Sequence, residues 1–252
     1  MKIFRAEEPQ VIYVLRIIFE VIWVLLRLNL EIIKSLFRVV VPQDRKDVKG
    51  DIVLVTGAGH GMGREIATRF GKLGAKVVCV DINSKGNEET ISLIKKNKGE
   101  AYAYLCDVTD RSAVMQLAEK VERDVGQVDI LVNNAGIMPC KPVLKQTEKE
   151  IRATMEINVN GNLWMIQAFL PAMLDRNSGH IVAMSSMAGK MGLRNLVPYC
   201  GSKYAVRGIM ESLAVELHED PRNTNGIFNL LSPSAGRILT DFIGTGLDPH
   251  DN

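Results

Sequence analysis

The sequence predicts an α/β fold in which a doubly wound parallel sheet is preceded by an amphipathic helix. Six short apolar runs, mostly rich in β-branched residues, alternate with longer amphipathic stretches, and a glycine-rich turn follows the first run. The charge pattern of the first 41 residues predicts the helix. With 252 residues, 46% of them hydrophobic, the chain can form one sizeable core with an appendage. Its net charge of +2 does not indicate a nucleic-acid-binding protein.

The amino-terminal segment, residues 11–41, is apolar apart from regularly spaced charges. These charges are Arg16, Glu20, Arg27, Glu31, Lys34 and Arg38. On a helix they fall within roughly 60° of arc, which makes one narrow polar stripe on an otherwise apolar surface. Such a helix is expected to lie in a membrane interface with its stripe toward water. The alternatives are a tilted membrane span and a helix buried on the protein's own core.

The remaining chain alternates between predicted strands and predicted helices after a polar, basic linker at residues 42–50. The strands are expected at 51–56, 75–81, 101–108, 128–133, 180–185 and 226–232. The helices between them are expected at about 61–73, 84–98, 110–125, 148–176 and 199–218. Because strands and helices alternate in this way, we expect βαβ units in a single domain over residues 51–252.

The cysteines and histidines give no sign of a metal site. Cys79, Cys106, Cys140 and Cys200 are widely spaced, and the four histidines are scattered without ligand spacing. We therefore predict reduced thiols, neither a disulfide framework nor a zinc site, and no metal.

The glycine-rich turn joins the first strand to the first helix. Gly57, Gly61 and Gly63 would allow a tight turn in which backbone amides approach a pyrophosphate at the helix amino terminus. Asp81 closes the second strand, 18 residues after Gly63. A carboxylate there accepts hydrogen bonds from both ribose hydroxyls and repels a 2′-phosphate, so NAD is favoured over NADP. Alternatively Asp81 only caps the strand end, and Lys85 nearby could weaken the discrimination.

Several motifs in order resemble those of the short-chain dehydrogenase/reductase family over roughly residues 50–241. They are T-G-x-x-x-G-x-G at Thr56 to Gly63, Asp107 after the third strand, N-N-A-G at Asn133 to Gly136, N-V-N-G at Asn158 to Gly161, Ser186, and Y-x-x-x-K at Tyr199 and Lys203. The chain is most similar to the membrane-associated retinol and 17β-hydroxysteroid dehydrogenase branch. This resemblance implies a Rossmann fold and NAD-dependent interconversion of a lipophilic alcohol with its aldehyde or ketone.

The resemblance also implies a catalytic set. Tyr199 would exchange the proton of the substrate hydroxyl, and Lys203, one helical turn along the same face, would lower its pKa. Ser186 would hydrogen-bond the substrate oxygen, and Asn158 would complete a water-linked proton relay with Lys203. Taken singly, each residue also has an ordinary structural explanation, such as a helix-face aromatic or a cap.

Cofactor contacts and assembly follow from the same resemblance. The residues implied for NAD are Gly57, Gly61, Met62, Gly63, Asp81, Asp107, Val108, Asn134, Ala135, Gly136, Tyr199 and Lys203. Among them, Asp107 and Val108 would hold the adenine.

Two other residues near these motifs are expected to have no catalytic role. His60 is expected to be a variable loop residue, and Cys200 is expected to be a small packing residue.

A homodimer is expected through the helices near 110–125 and 148–176. The charge pattern of residues 11–41, not the resemblance, predicts a location on the cytosolic face of the endoplasmic reticulum or a lipid droplet.

Two departures from the family pattern raise a second hypothesis. Ser234 stands where the family usually has glycine after Pro233, and Thr240 lies seven residues beyond that proline. The sequence ends at Asn252, so the carboxy-terminal part of the usual fold is expected to be missing. The alternative function is therefore a catalytically weak relative that acts at a membrane or lipid-droplet surface as a partner of an active homologue.

Overall fold

The computed structural model describes residues 10–40, 46–223 and 229–231, and the chain divides into two compact units, residues 1–45 and 46–252. The helices are α1 (Gln10–Val40), α2 (Gly61–Lys72), α3 (Ser84–Lys96), α4 (Arg111–Asp124), α5 (Glu148–Met155), α6 (Gly161–Asp175) and α7 (Val197–Glu219). The strands are β1 (Ile52–Thr56), β2 (Lys76–Asp81), β3 (Glu100–Leu105), β4 (Ile130–Asn133), β5 (His180–Ala183) and β6 (Asn229–Leu231).

The strands of the second unit form one parallel sheet, which confirms the predicted doubly wound fold. Among the described residues it has six strands in the order β3-β2-β1-β4-β5-β6. The chain runs outward in one direction from β1 to β3 and returns to continue from β4 on the other side of β1. Ligands of such sheets bind at this switch point, beyond the carboxyl ends of the strands.

Two hydrophobic cores form because helices cover both faces of the sheet. Along β1, Leu54 belongs to one core, and Val53 and Val55 belong to the other. Successive side chains of a strand point to opposite faces, so a strand covered on both sides must be apolar throughout. This explains why the strand runs in the sequence are continuous rather than alternating.

The predicted helix at 148–176 is interrupted, and this is the main difference in the elements. A π-helical turn, Glu156–Asn160, separates α5 from α6. Within it the backbone carbonyl of Asn158 accepts a hydrogen bond from the side chain of Asn162 at 2.7 Å. Such side-chain bonds compete with the regular helical pattern, and π turns are frequent at functional sites.

Two other boundaries also differ from the sequence prediction. The third strand ends at Leu105 rather than residue 108, because the Asp107 side chain accepts from the backbone and hydroxyl of Thr109 and turns the chain. Helix α7 begins at Val197 rather than residue 199, with Pro198 in its first turn, where no backbone N–H is needed. Residues 226–228 and 232 of the predicted sixth strand lie outside the described residues.

The first unit contains the continuous helix α1, as predicted. Arg16 and Glu20, one turn apart, form an ion pair at 3.2 Å, and Arg27 lies 4.3 Å from the ring centre of Trp23. Large apolar side chains along it, among them Phe19 and Leu26, are exposed. None of the helices in the described ranges combines the length and apolar content that a bilayer crossing requires.

Arg64 on α2 fastens the glycine-rich turn to α3. Its Nε donates to the hydroxyl of Thr90 at 3.1 Å. A terminal nitrogen donates to the carbonyls of Gly59 and Gly86 and pairs with Glu89 at 3.0 Å. One guanidinium therefore satisfies acceptors on two separate elements, and its planar set of donors suits that task.

Replacing this guanidinium is expected to destabilise the domain. Arg64→Ala removes the guanidinium donor of the Gly59 carbonyl and the ties to Gly86, Thr90 and Glu89, and it should lower the free energy of unfolding by about 2 kcal/mol. Arg69→Ala on the same helix is the matched control, because its exposed pair with Glu65 contributes less than about 1 kcal/mol. Urea denaturation of both variants measures the difference, and equal losses would contradict this role of Arg64.

Candidate functional site

The glycine-rich turn leaves β1 in a conformation that requires its glycines. Gly57 and Gly61 have φ of +66° and +54°, a region that L side chains rarely adopt. A Cβ on Gly63 would lie 2.0 Å from the carbonyl oxygen of Gly57, so no side chain fits there. Met62 between them is exposed. The turn thus presents bare backbone at the amino terminus of α2, where N–H groups can bind an anion.

The hydroxyl of Thr56 joins this turn to the segment that follows β4. It accepts from the backbone N–H of Asn134 at 2.9 Å and of Ala135 at 3.0 Å. The side-chain amide of Asn134 donates back to the carbonyl of Thr56 at 2.9 Å. The N-N-A-G motif and the glycine-rich turn therefore form one bonded unit, with Gly136 next in the chain.

Asp81 is buried at the carboxyl end of β2 and is oriented by two backbone amides. Its carboxylate accepts from Gly59 and from Asn83, each at 2.8 Å. A carboxylate has further acceptor positions beyond these two bonds. Because the Gly59 N–H holds the carboxylate and the Gly59 carbonyl is held by Arg64, the orientation of Asp81 depends indirectly on α3.

One cleft brings six of the twelve predicted cofactor residues together. It is lined in part by Gly57, Asp81, Asp107, Val108, Ala135 and Gly136. Asp107 is exposed, whereas Val108 is buried against Gly161, where a Cβ would lie 2.9 Å from a Val108 methyl group. The glycine of the N-V-N-G motif therefore allows Val108 to occupy the wall of the cleft.

Tyr199 and Lys203 lie on one face at the start of α7, as their spacing predicted. The Lys203 ammonium nitrogen is 5.7 Å from the Tyr199 ring centre and donates to the carbonyl of Met184 at 2.6 Å. Burial lowers the pKa of Lys203 to about 8, so its charged form predominates at neutral pH. The half-buried Tyr199 thus has a fixed positive charge beside it.

Ser186 lies beyond the end of β5 in the same region. Its side-chain oxygen accepts from the N–H of Ala188 at 3.2 Å and caps a single turn of 3₁₀ helix, Met187–Gly189. The hydroxyl hydrogen is left available as a donor, because this bond uses only an acceptor position. The end of β5 therefore supplies Ser186, and the start of α7 supplies Tyr199 and Lys203.

Asn158 is fully buried, and its side chain forms hydrogen bonds with Ile137 and Ser202 rather than with Lys203. Its oxygen accepts from the N–H of Ile137 at 2.8 Å, and its nitrogen donates to the Ile137 carbonyl at 2.9 Å and to the Ser202 hydroxyl at 3.0 Å. Ser202 donates in turn to the carbonyl of Tyr199 at 2.7 Å. Asn158 therefore links the segment after β4 to the helix that carries Tyr199.

Sequence reasoning missed three residues that support the site. Ser202 was visible inside the P-Y-C-G-S-K stretch, and Thr56 inside the first motif, although neither was assigned a role. Arg64 gave no signal, because its partner Glu89 is 25 residues away. The predicted differences at Pro233, Ser234 and Thr240 lie outside the described residues.

Known proteins resemble this chain in sequence. The profile of the family described as short chain dehydrogenase matches residues 51–228. Short-chain dehydrogenase/reductase family 16C member 6 of Bos taurus is 44% identical over 186 residues, which are 73% of this chain and 59% of the relative. For 17-beta-hydroxysteroid dehydrogenase 13 of Homo sapiens the identity is 40%, over 81% of this chain and 68% of the relative. Epidermal retinol dehydrogenase 2 of Mus musculus is 41% identical, over 74% of this chain and 61% of the relative.

Solved structures share the fold. A xylitol dehydrogenase bound to NAD⁺ superposes with a TM-score of 0.69 at 33% identity, over 75% of this chain and 72% of that one. A metagenomic short-chain oxidoreductase in complex with NADP also superposes with a TM-score of 0.69. Its sequence identity is 31%, and the match covers 77% of this chain and 88% of that one.

The chain spans 59% to 68% of the length of the three relatives named above. It belongs to the short-chain dehydrogenase family, and its similarity to retinol and 17-beta-hydroxysteroid dehydrogenases confirms the predicted branch.

Proposed function

We propose that the chain is an NAD-dependent oxidoreductase that interconverts a lipophilic alcohol, retinol or a hydroxysteroid, with its aldehyde or ketone. The observation that carries this proposal is the placement of Tyr199 beside the buried ammonium of Lys203, with Ser186 at the neighbouring strand end. These are the groups needed to transfer a proton at a hydroxyl and to hold its oxygen. Relatives named as retinol and hydroxysteroid dehydrogenases support the substrate class.

The cleft suits a dinucleotide. The amino terminus of α2 and the glycines 57, 61 and 63, with Met62, would hold the pyrophosphate. Asp107 and Val108 would hold the adenine, and the segment 134–136 would line the floor. Tyr199 and Lys203 would hold the nicotinamide ribose. The bound nicotinamide supplies the acceptor or donor of the hydride.

Each catalytic candidate has a task that its geometry supports. Ser186 donates its free hydroxyl hydrogen to the substrate oxygen, and Tyr199 exchanges a proton with that oxygen. Lys203 provides a charge whose position is fixed by the carbonyl of Met184. Asn158 acts as a positioning residue through Ser202. Met187 follows Ser186 and Val197 precedes Tyr199 by two residues in the sequence, and both are exposed apolar side chains that suit a lipophilic substrate. Met138, which follows the Asn158 partner Ile137, is also exposed.

The nucleotide preference is assigned to Asp81. Gly59 and Asn83 hold its carboxylate in place, so it can accept from the ribose hydroxyls without further reorganisation. A 2′-phosphate at the same position would meet a buried negative charge with no room to turn away. NAD is therefore favoured over NADP.

The charged stripe and exposed apolar surface of α1 support attachment to a membrane interface. The proposed location is the cytosolic face of the endoplasmic reticulum or a lipid droplet. A homodimer through α4 and α6 is also proposed. These helices contact each other through Arg111 and Gln167 at 3.2 Å, and Trp164 on α6 is only partly buried.

Removing the phenolic oxygen of Tyr199 is expected to abolish turnover of retinol or estradiol with NAD. Tyr199→Phe should lower kcat by about 10²-fold or more, because general acid–base catalysis is lost, while NADH affinity falls much less, because Lys203 still holds the nicotinamide ribose. Lys203→Met should lower both kcat and the affinity for NADH. Tyr204→Phe, on the exposed side of the same helix, is the control and should retain activity. Near wild-type turnover by Tyr199→Phe would contradict the assignment.

The same assays test the alternative function. Intact NADH binding without turnover by the unmutated chain would favour a non-catalytic surface partner.

Asp81→Ala is expected to relax the nucleotide preference. NADH affinity should fall at least about tenfold through the loss of charged hydrogen bonds, while NADPH affinity rises as the repulsion disappears. Glu88→Ala, on the exposed face of α3, should leave the ratio unchanged. Fluorescence titration measures both affinities. Tighter binding of NADPH than of NADH by the unmutated chain would refute this assignment.

Deleting residues 1–41 is expected to shift most of the second unit into the soluble fraction, because α1 provides the main proposed membrane contact. Fractionation of cells that express each form measures this release. In sealed microsomes, an amino-terminal tag on the full chain should be digested by added protease. A protected tag would show that the helix spans the membrane and would contradict an interfacial position.

A further inference from the structure

Two loops lie side by side at the carboxyl edge of the sheet. The β4 loop (residues 137–147) and the β5 loop (residues 186–198) follow neighbouring parallel strands. The N–H of Lys141 donates to the carbonyl of Asn195 at 3.0 Å and connects the two loops. The β5 loop contains Ser186 and leads directly to Tyr199. The loops therefore form one surface at the entrance of the candidate active site.

This surface exposes large apolar side chains that its backbone holds in place. Leu144 is 96% exposed. It lies in a single turn of 3₁₀ helix, Val143–Lys145, closed by the bond from the N–H of Lys145 to the Pro142 carbonyl at 2.8 Å. The side chain of Gln146 donates to the carbonyl of Lys141 at 3.0 Å and closes the loop from the other side. The hydrogen bonds of this turn hold the backbone in a conformation that exposes the Leu144 side chain.

The β5 loop adds further apolar groups at the same edge. Met191 is 50% exposed, and Leu193 is 38% exposed. The N–H of Leu193 donates to the sulfur of Cys200 at 3.4 Å, which ties this loop to α7. Isolated exposed apolar residues are normal, but several on two bonded loops indicate a contact surface.

All formal charges in the two loops are positive. They contain Lys141, Lys145, Lys190 and Arg194 and no carboxylate, and all four cations are exposed. Lys141 pairs with Glu150 of α5. Lys145, Lys190 and Arg194 each stand next to an exposed apolar residue of the loops in the sequence. Leucine and methionine among lysine and arginine are the combination that anionic lipid surfaces attract, through apolar insertion and charge together.

We propose that a docking rim, defined as Val143, Leu144, Lys145, Lys190, Met191, Leu193 and Arg194, binds an anionic phospholipid surface. The entrance beside Ser186 and Tyr199 then opens toward the lipid, where a lipophilic substrate is dissolved. A second copy of the chain is the poorer occupant, because a two-fold interface would bring the same cations together. Delivery of substrate rests on the proposed function, whereas docking of the rim does not.

Cys140 provides a native position for a probe beside the rim. It is exposed, whereas Cys79, Cys106 and Cys200 are buried. Burial raises the pKa of Cys79 to about 12 and that of Cys106 to about 11, so neither forms the reactive thiolate at neutral pH. A nitroxide reagent should therefore label Cys140 selectively on the full chain. Cys140→Ser combined with Leu93→Cys places the same label on the outer face of α3 as a control.

The labelled chain is mixed with phosphatidylcholine vesicles that contain phosphatidylserine. Sedimentation confirms binding, and paramagnetic resonance measures collisions of the nitroxide with oxygen and with a water-soluble nickel chelate. Docking predicts that the label at Cys140 gains collisions with oxygen and loses collisions with the chelate, while the label at residue 93 stays accessible to the chelate. NADH titration of the same preparation reports independently on the proposed function.

Rim variants of the full chain provide the quantitative test. Vesicle partitioning should fall about tenfold for Leu144→Gln, from lost apolar burial, and about fivefold for Lys145→Gln, from one lost cation. The effect of Lys145→Gln should disappear without phosphatidylserine. Leu93→Gln and Lys96→Gln on α3 are the matched controls and should not change partitioning.

Three results would overturn the proposal. In the first, the chain binds vesicles while the label at Cys140 stays accessible to the chelate, or it does not bind them at all. In the second, the label is shielded without vesicles in a concentration-dependent manner, which identifies a second copy as the occupant. In the third, shielding without vesicles is independent of concentration, which identifies another part of this chain.

Discussion

The contact between the Thr56 hydroxyl and the backbone after β4 is the constraint on which the candidate site depends. Asn134 and Ala135 both donate to this one oxygen, so the ends of β1 and β4 are held together at the switch point of the sheet. Side chains on Gly57 and Gly63 are then excluded, because the backbone of Ala135 and of Gly57 and the amide of Asn134 occupy the space beside them. The proposed nucleotide-binding residues and the proposed catalytic residues are positioned relative to this contact.

Two supporting networks extend from that contact in opposite directions. On the nucleotide side, Arg64 holds Gly59, and Gly59 holds the carboxylate of Asp81. On the catalytic side, Asn158 holds the segment after β4 and reaches Tyr199 through Ser202. In each network a buried polar side chain binds backbone groups that would otherwise lack partners, and unpaired buried polar groups are costly. The same bonds that satisfy the fold therefore fix the orientation of the functional groups.

The surface around the entrance differs in character from the interior of the site. Inside, a single ammonium, Lys203, is buried against a carbonyl, and its lowered pKa reflects the cost of that burial. Outside, the cations are exposed among apolar side chains and can approach a charged lipid surface without desolvation by the protein. Exposed and buried cations thus have different proposed roles, Lys190 and Arg194 in lipid docking and Lys203 in catalysis.

The sequence by itself determined the features that depend on local pattern. Continuous apolar runs predicted the parallel strands, glycine spacing predicted the turn, and four-residue spacing placed Tyr199 and Lys203 on one face. Only the tertiary structure decided the features that join distant segments. Arg64 meets Glu89 across 25 residues, Asn158 meets Ser202 across 44, and the β4 and β5 loops meet through Lys141 and Asn195. The reason is physical: periodicity reports which face of an element is buried, whereas the partner of a buried polar group depends on how the elements pack.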